Sequence, residues 1–174
     1  MQDFWVITSP KATYSEDALY YFRKKFTFER PKSAKIYITA DSRYKLWING
    51  KMASFGPYKG TQHNQYYNTV DITEFLKSGE NEFFAEVLQL ASDKDVMRHH
   101  FLSSVPRTGN LAFLLWGFVQ CAEERIEIKT DGSWECAKEE NMQFIVPDYA
   151  YYTGIGEHLT YGKKLEWLPS KKIM

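Results

Sequence analysis

Cysteine is scarce in this chain. Cys121 and Cys136 are the only two, so no disulfide framework can hold the fold together. One bridge between them is open, and two free thiols are the expected state. A surplus of either charge is missing as well. Lys and Arg number 22, Asp and Glu number 22, and the formal net charge is zero. Proteins that grip nucleic acid usually carry a basic excess, because phosphate contacts dominate their affinity. With none here, no nucleic-acid partner is expected, and Lys24-Lys25 and Lys171-Lys172 read as solvated surface. No run approaches the roughly 18 apolar residues of a membrane-spanning helix, so no membrane partner is expected either. Met1-Gln2-Asp3-Phe4 lacks the basic and apolar regions of a signal peptide. A start within a longer parent would look the same.

What is present is one domain's length of chain, 174 residues, enough to bury a core without staples. Aromatics make up 17% of it, as 12 Tyr, 12 Phe and 5 Trp. They favour strands, and Tyr and Trp pair an apolar face with a polar edge. Most should fill a β-rich core, and some suit stacking on sugar rings.

The periodicity is that of strands. Over residues 19–29, Phe22, Phe26 and Phe28 share a face, interrupted by Lys24. After the turn Arg30-Pro31-Lys32-Ser33, Ile36, Ile38 and Ala40 alternate with Lys35, Tyr37 and Thr39. Tyr44, Leu46 and Ile48 alternate with Lys45, Trp47 and Asn49. Asn49-Gly50 is a hairpin signal, because both residues accept φ > 0. Asp71 with Glu74 resembles a capping box, Val70 and Phe75 a hydrophobic staple, and Gly79 a left-handed stop, predicting a helix of about two turns. Residues 83–90 and 111–119 are nearly continuous apolar runs, expected to be strands covered on both sides. Ile36, Ile38, Leu46, Ile48, Phe83, Val87, Leu114 and Trp116 should be mostly buried. Ile126 and Ile128 point inward from 125–129, and Thr130-Asp131-Gly132-Ser133 turns into Trp134 and a short last strand.

The fold class read from this is all-β, a two-sheet antiparallel jelly-roll sandwich with very little helix. Residues 1–18 read as an N-terminal extension, 19–146 as the sandwich, and 147–174 as an irregular C-terminal segment or a linker toward a missing domain.

Ala40-Asp41-x-Arg43-Tyr44-x-Leu46-x-Ile48-Asn49-Gly50, with Gly56-Pro57, Tyr67, Asp71-Ile72-Thr73 and Gly79-Glu80-Asn81, resembles the N-terminal β-sandwich domain of bacterial α-L-rhamnosidases. The likeness spans roughly residues 20–168. It includes Thr130-Asp131-x-Ser133-Trp134, which in that family closes the sandwich, and Gly156-Glu157, near where the family's chain leaves the domain. The hairpin and both turns also resemble the sugar-binding domain of β-galactosidases and β-glucuronidases. In both families the domain is a non-catalytic accessory. The rhamnosidase likeness implies a helical (α/α)6 catalytic domain downstream in the parent chain, a glycosidase. Met174 precedes any such domain, so the chain is expected to be a fragment or a short relative without that partner. A lectin-like module standing alone is the alternative. The compartment stays open between periplasm, exterior and cytoplasm of a bacterium.

Catalysis by this chain alone is not expected. Glycoside hydrolysis needs two carboxyl groups about 5–9.5 Å apart across the scissile bond. The candidate acids Asp41, Asp71, Glu86, Asp93, Asp95, Asp148 and Glu157 include no pair with a motif behind it. Adjacent His99 and His100 would point oppositely on a strand and share no metal. Asp93 and Asp95 are too few for a calcium site, although backbone oxygens could hold a structural calcium that a sequence does not display. No cofactor is expected. Sugar contact needs an aromatic platform and planar polar side chains on loops. Tyr58, His63 and Tyr66 in the loop 55–68 would stack, and Arg98 and His99 in the loop 91–109 would bond hydroxyls. The glycan would be rhamnose-containing or another sugar chain.

Overall fold

The computed structural model describes residues 6–13, 17–58, 60, 64–89, 111–145 and 156–173. Alternating sequences form the strands β1 (Ile7–Thr8), β2 (Ala18–Phe28), β3 (Ser33–Ala40), β4 (Arg43–Ile48), β5 (Lys51–Gly56) and β6 (Asn68–Asp71). A single 3-10 turn, Thr73–Phe75, leads to β7 (Gly79–Gln89). Then come β8 (Phe113–Gln120), β9 (Arg125–Lys129), β10 (Glu135–Lys138), β11 (Met142–Ile145), β12 (Gly156–Leu159), β13 (Leu168–Pro169) and β14 (Lys171–Lys172). The first sheet runs β14-β1-β8-β3-β6, with β9 also on β8, and the second runs β13-β10-β2-β7-β4-β5. Strands β11 and β12 pair separately. The two large sheets are antiparallel and form the expected β-sandwich.

Their inner faces make one core. Phe22 and Phe28 of β2, Leu46 and Ile48 of β4 and Phe83 of β7 are fully buried, as are Ile36 and Ile38 of β3 and Phe113 and Leu115 of β8. Each such side chain contributes roughly 1.5–3 kcal/mol relative to exposure. Phe22 meets Phe113 across the sandwich at 5.3 Å between ring centroids. Trp134 sets its ring edge-on to Phe113 and Phe26, at 5.7 and 6.1 Å. Its indole N–H donates to the Lys129 carbonyl at 3.0 Å, so a large apolar surface is buried with its polar atom satisfied. Both cysteines are buried free thiols, and burial pushes the Cys136 thiol up against a hydrogen bond with Ser9 that lowers it.

Lys24, the interruption in the apolar face of β2, has a local solution. Its ammonium bonds Asp131 at 3.1 Å and lies 4.8 Å from the centroid of the Phe26 ring. Burial alone would raise the Asp131 pKa. Hydrogen bonds from Ser133 and Lys24 together outweigh it and hold the carboxyl below its ordinary range.

Three expectations need correction. Leu114 and Trp116 are only half-buried, on the outer face of β8, while Phe113, Leu115 and Val119 face inward. A continuous apolar run carries no period, so the run could not tell the two faces apart. The two-turn helix is one 3-10 turn. Antiparallel pairing with Lys35 keeps the chain extended as far as Asp71, and Leu76 is extended again, at φ −89° and ψ 151°, so a single turn fits between. Asp71 therefore ends a strand, and its carboxylate accepts the Thr73 N–H at 2.9 Å and the Thr73 hydroxyl at 2.6 Å. The stretch expected to be irregular after residue 147 supplies β12, β13 and β14. Strand β14 pairs with β1, and β13 with β10. Two-residue strands are too short to show alternation.

The hairpin, the 3-10 turn and the turn before β7 are bound into one corner by two asparagines. Asn49 and Gly50 take φ of 52° and 77°, as a primed hairpin turn requires. The Asn49 amide donates to the Phe75 carbonyl at 2.8 Å and to Asn81 Oδ1 at 2.9 Å. Its own oxygen accepts the Glu82 N–H at 3.1 Å. Asn81, with 0% exposure, donates to the Lys77 and Gly79 carbonyls, both at 2.8 Å, and accepts the Lys77 N–H at 2.9 Å.

Removing Asn81 strands backbone groups in a buried corner, where each unsatisfied group costs about 1–3 kcal/mol. Asn81→Ala is expected to destabilise by at least about 2 kcal/mol. Urea melts of Asn49→Ala, Asn81→Ala and the double variant should give a coupling of about 0.5–3 kcal/mol; additive losses would refute the linkage. A second expectation concerns acid. A carboxyl whose pKa is lower folded than unfolded stabilises the fold above its unfolded pKa, about 3.9. That contribution is lost as pH falls through the folded value. Asp131→Asn should weaken the fold at pH 7 and lose less further stability between about pH 5 and pH 2 than the parent does. Denaturant midpoints across that range check it.

Candidate functional site

Of the five residues expected to touch sugar, Tyr58 and Tyr66 lie among the described residues, and His63, Arg98 and His99 lie outside them. Strand β5 ends at a cis Gly56-Pro57 bond, and Tyr58 follows with 71% of its surface exposed. Tyr66 is 54% exposed. A Cβ added at Gly60 would collide with the Asn64 carbonyl and stand 3.3 Å from the Tyr66 ring. Glycine is thus what allows the chain at 60 to pass so close beneath 64–66. The Thr39 hydroxyl donates to the Tyr66 carbonyl at 2.7 Å, and Asn68 Nδ2 donates to the Phe55 carbonyl at 3.3 Å. The C-terminal end of the loop is thereby tied to β3, and β6 is tied to β5 where the loop begins. Beneath it, burial pushes the Tyr44 phenol up to about 12, against a hydrogen bond with Ser54 that lowers it. Tyr44 is a neutral structural group at any ordinary pH.

The pairing register gathers a second set of rings that sequence reasoning did not assemble. Tyr37 of β3 is opposite Trp116 of β8. Their rings stack at 5.1 Å and 22°. Tyr67, the residue before β6, is set edgewise to both, at 5.6 Å from Tyr37 and 5.3 Å from Trp116. Phe118 continues the row, with the Arg125 guanidinium 3.7 Å above its ring. All stand on the outer face of the first sheet. The residues are scattered through the sequence, and the one available signal was the alternation of Tyr37 with inward Ile36 and Ile38.

Among the described residues, the candidate acids stand on different elements. Asp41 is buried. Asp71 is exposed, and the hydrogen bonds from Thr73 hold its carboxyl below the ordinary range. Glu86 pairs with Lys45 at 3.3 Å on the outer face of the second sheet, and Glu157 is exposed on β12. Asp93, Asp95 and Asp148 lie outside the described residues. Among the described residues, no group of three or more His, Cys, Asp or Glu is placed to hold a metal ion.

Comparison with known proteins gives the fold and the family. The chain matches no curated protein. Solved structures of similar fold include an α-L-rhamnosidase from Aspergillus terreus, at 24% identity and a TM-score of 0.61 over 80% of this chain. An α-L-rhamnosidase from Dictyoglumus thermophilum is similar at 18% identity and a TM-score of 0.61, again over 80%. This chain spans 17% of the length of each. A lectin from Pleurotus ostreatus is similar over 98% of this chain and 41% of its own, at 15% identity and a TM-score of 0.61. At such identities these likenesses establish the sandwich. The family model of the alpha-L-rhamnosidase N-terminal domain matches residues 29–144, a span holding the Asn49–Asn81 corner, the aromatic row and Trp134, and the chain belongs to that family.

Proposed function

We propose that this chain is a non-catalytic accessory domain of an α-L-rhamnosidase-like glycoside hydrolase, and that it contacts carbohydrate. The family match over residues 29–144 carries the reading. The exposed rings of Tyr58 and Tyr66, on a loop whose C-terminal end is tied to β3, support sugar contact. The glycan is rhamnose-containing, and the parent supplies a helical catalytic domain against which this sandwich is held. A rigid sheet with ligand-facing loops is the usual way such contact is built.

The purified chain titrated with L-rhamnose and D-galactose, followed by NMR, tests this. Saturable shifts with a dissociation constant of about 0.1–1 mM, roughly −5.5 to −4 kcal/mol, are expected. Tyr58→Ala should weaken them, and the chain should not turn over an aryl rhamnoside. An absence of shifts at millimolar sugar would leave support of a catalytic domain as the role. Turnover abolished by one acid-to-amide change would make the domain an enzyme.

A further inference from the structure

We propose that Asn49-Gly50 is a modification site, a deamidation with water as co-reactant that the fold holds in check and that opens the asparagine corner for good once it occurs. Asn-Gly occurs once in the chain. Its two residues are in opposite situations. Gly50 is exposed, and a Cβ added there would meet nothing within 4 Å, so no side chain screens its peptide nitrogen from water and base. Asn49 is half-buried, and both atoms of its amide are held. Nδ2 donates to the Phe75 carbonyl at 2.8 Å and to Asn81 Oδ1 at 2.9 Å, while Oδ1 accepts the Glu82 N–H at 3.1 Å. The Asn49 backbone N–H also bonds the Glu82 carbonyl, at 2.9 Å.

The reaction needs the amide carbon beside the next nitrogen. Base removes the Gly50 N–H proton, and the nitrogen attacks Cγ of Asn49. The new N–Cγ bond closes a succinimide ring, and the Cγ–Nδ2 bond breaks, releasing ammonia with a proton from solvent. Water then adds to one ring carbonyl. Breaking the N–Cγ bond leaves aspartate, and breaking the backbone C–N bond leaves isoaspartate. To start, the Asn49 amide must turn toward Gly50 and give up all three of its hydrogen bonds, so the closed corner opposes the first step and only a local opening admits it. The product does not fit what it left. A carboxylate at position 49 has no N–H to give, and its oxygens would face two acceptors, the Phe75 carbonyl and Asn81 Oδ1, in a buried place. Turning Asn81 over to donate would cost it the Lys77 and Gly79 carbonyls and the Lys77 N–H. Isoaspartate also adds a backbone carbon between Ile48 and Lys51, the pair that begins the β4–β5 register.

Peptide mapping with isoaspartate detection, on the whole chain in mildly alkaline buffer, tests the proposal. Residue 49 should convert in urea above the unfolding midpoint and at least about tenfold more slowly in the folded chain. Asn81→Ala should speed conversion of the folded chain by at least about threefold, and Asn81→Ser serves if alanine does not fold. Val87→Ala, a core change at the far end of β7, is the control for general destabilisation and should speed it less. Converted chains should unfold at lower urea than unconverted chains of the same sample, and Asn49→Asp should reproduce that shift. Equal rates with and without urea would overturn the protection, as would a site that fails to react even when unfolded. Equal acceleration by the Asn81 and Val87 variants would overturn the role of the corner. Converted chains with the parent's midpoint would overturn its irreversible opening.

Discussion

The amide group of Asn81 decides how this sandwich is closed at one end. A hairpin, a 3-10 turn and a turn into a central strand all bring backbone N–H and C=O groups to the same buried place. Secondary structure cannot satisfy them there, because three different segments end together. A side chain carrying both a donor and an acceptor can, and Asn49 and Asn81 bond each other as well as the backbone around them. Each asparagine holds the other in the one orientation that serves all three segments. The register of β4 on β7, with Ile48 beside Phe83, starts from this corner. From that register follows which residues face the core and which reach the outer surface.

The sequence was most legible where the environment differs on the two faces of a strand. Ile36 and Ile38, or Tyr44, Leu46 and Ile48, alternate with polar residues, and their burial follows. Asn49-Gly50 was readable because its backbone angles admit few other residues. Leu114 and Trp116 were not, because the outer face of β8 is itself partly covered and rich in rings, so apolar side chains occupy both faces. The capping pattern at Asp71 was real chemistry in another setting. Its carboxylate does accept the Thr73 N–H, but the strand ladder holds the chain up to Asp71 and the backbone is extended again at Leu76, which leaves room for one turn. Local pattern lost to the ladder.

The candidate surface was legible in part for a related reason. Tyr58 and Tyr66 stand in a polar loop with Gly and Pro, and a loop announces its exposed rings. The row of Tyr37, Tyr67 and Trp116 is made by register, which joins positions 30 to 79 residues apart and leaves no local motif. Family membership says what kind of domain this is.

The two ends of the described chain meet on one edge. Ile7 pairs with Lys172 and Thr8 with Lys171, and the Ile173 N–H bonds the Val6 carbonyl at 3.0 Å. In an antiparallel pair of this sense, tension applied through residues 6 and 173 loads the bonds one after another and does not shear them together. The edge would peel open like a zip at low force. Loss of β1 would then uncover the flank of β8 beside Phe113, to which Ile7 is paired. A tether pulling on both ends would therefore reach the core through its outermost strands, long before it strained the asparagine corner.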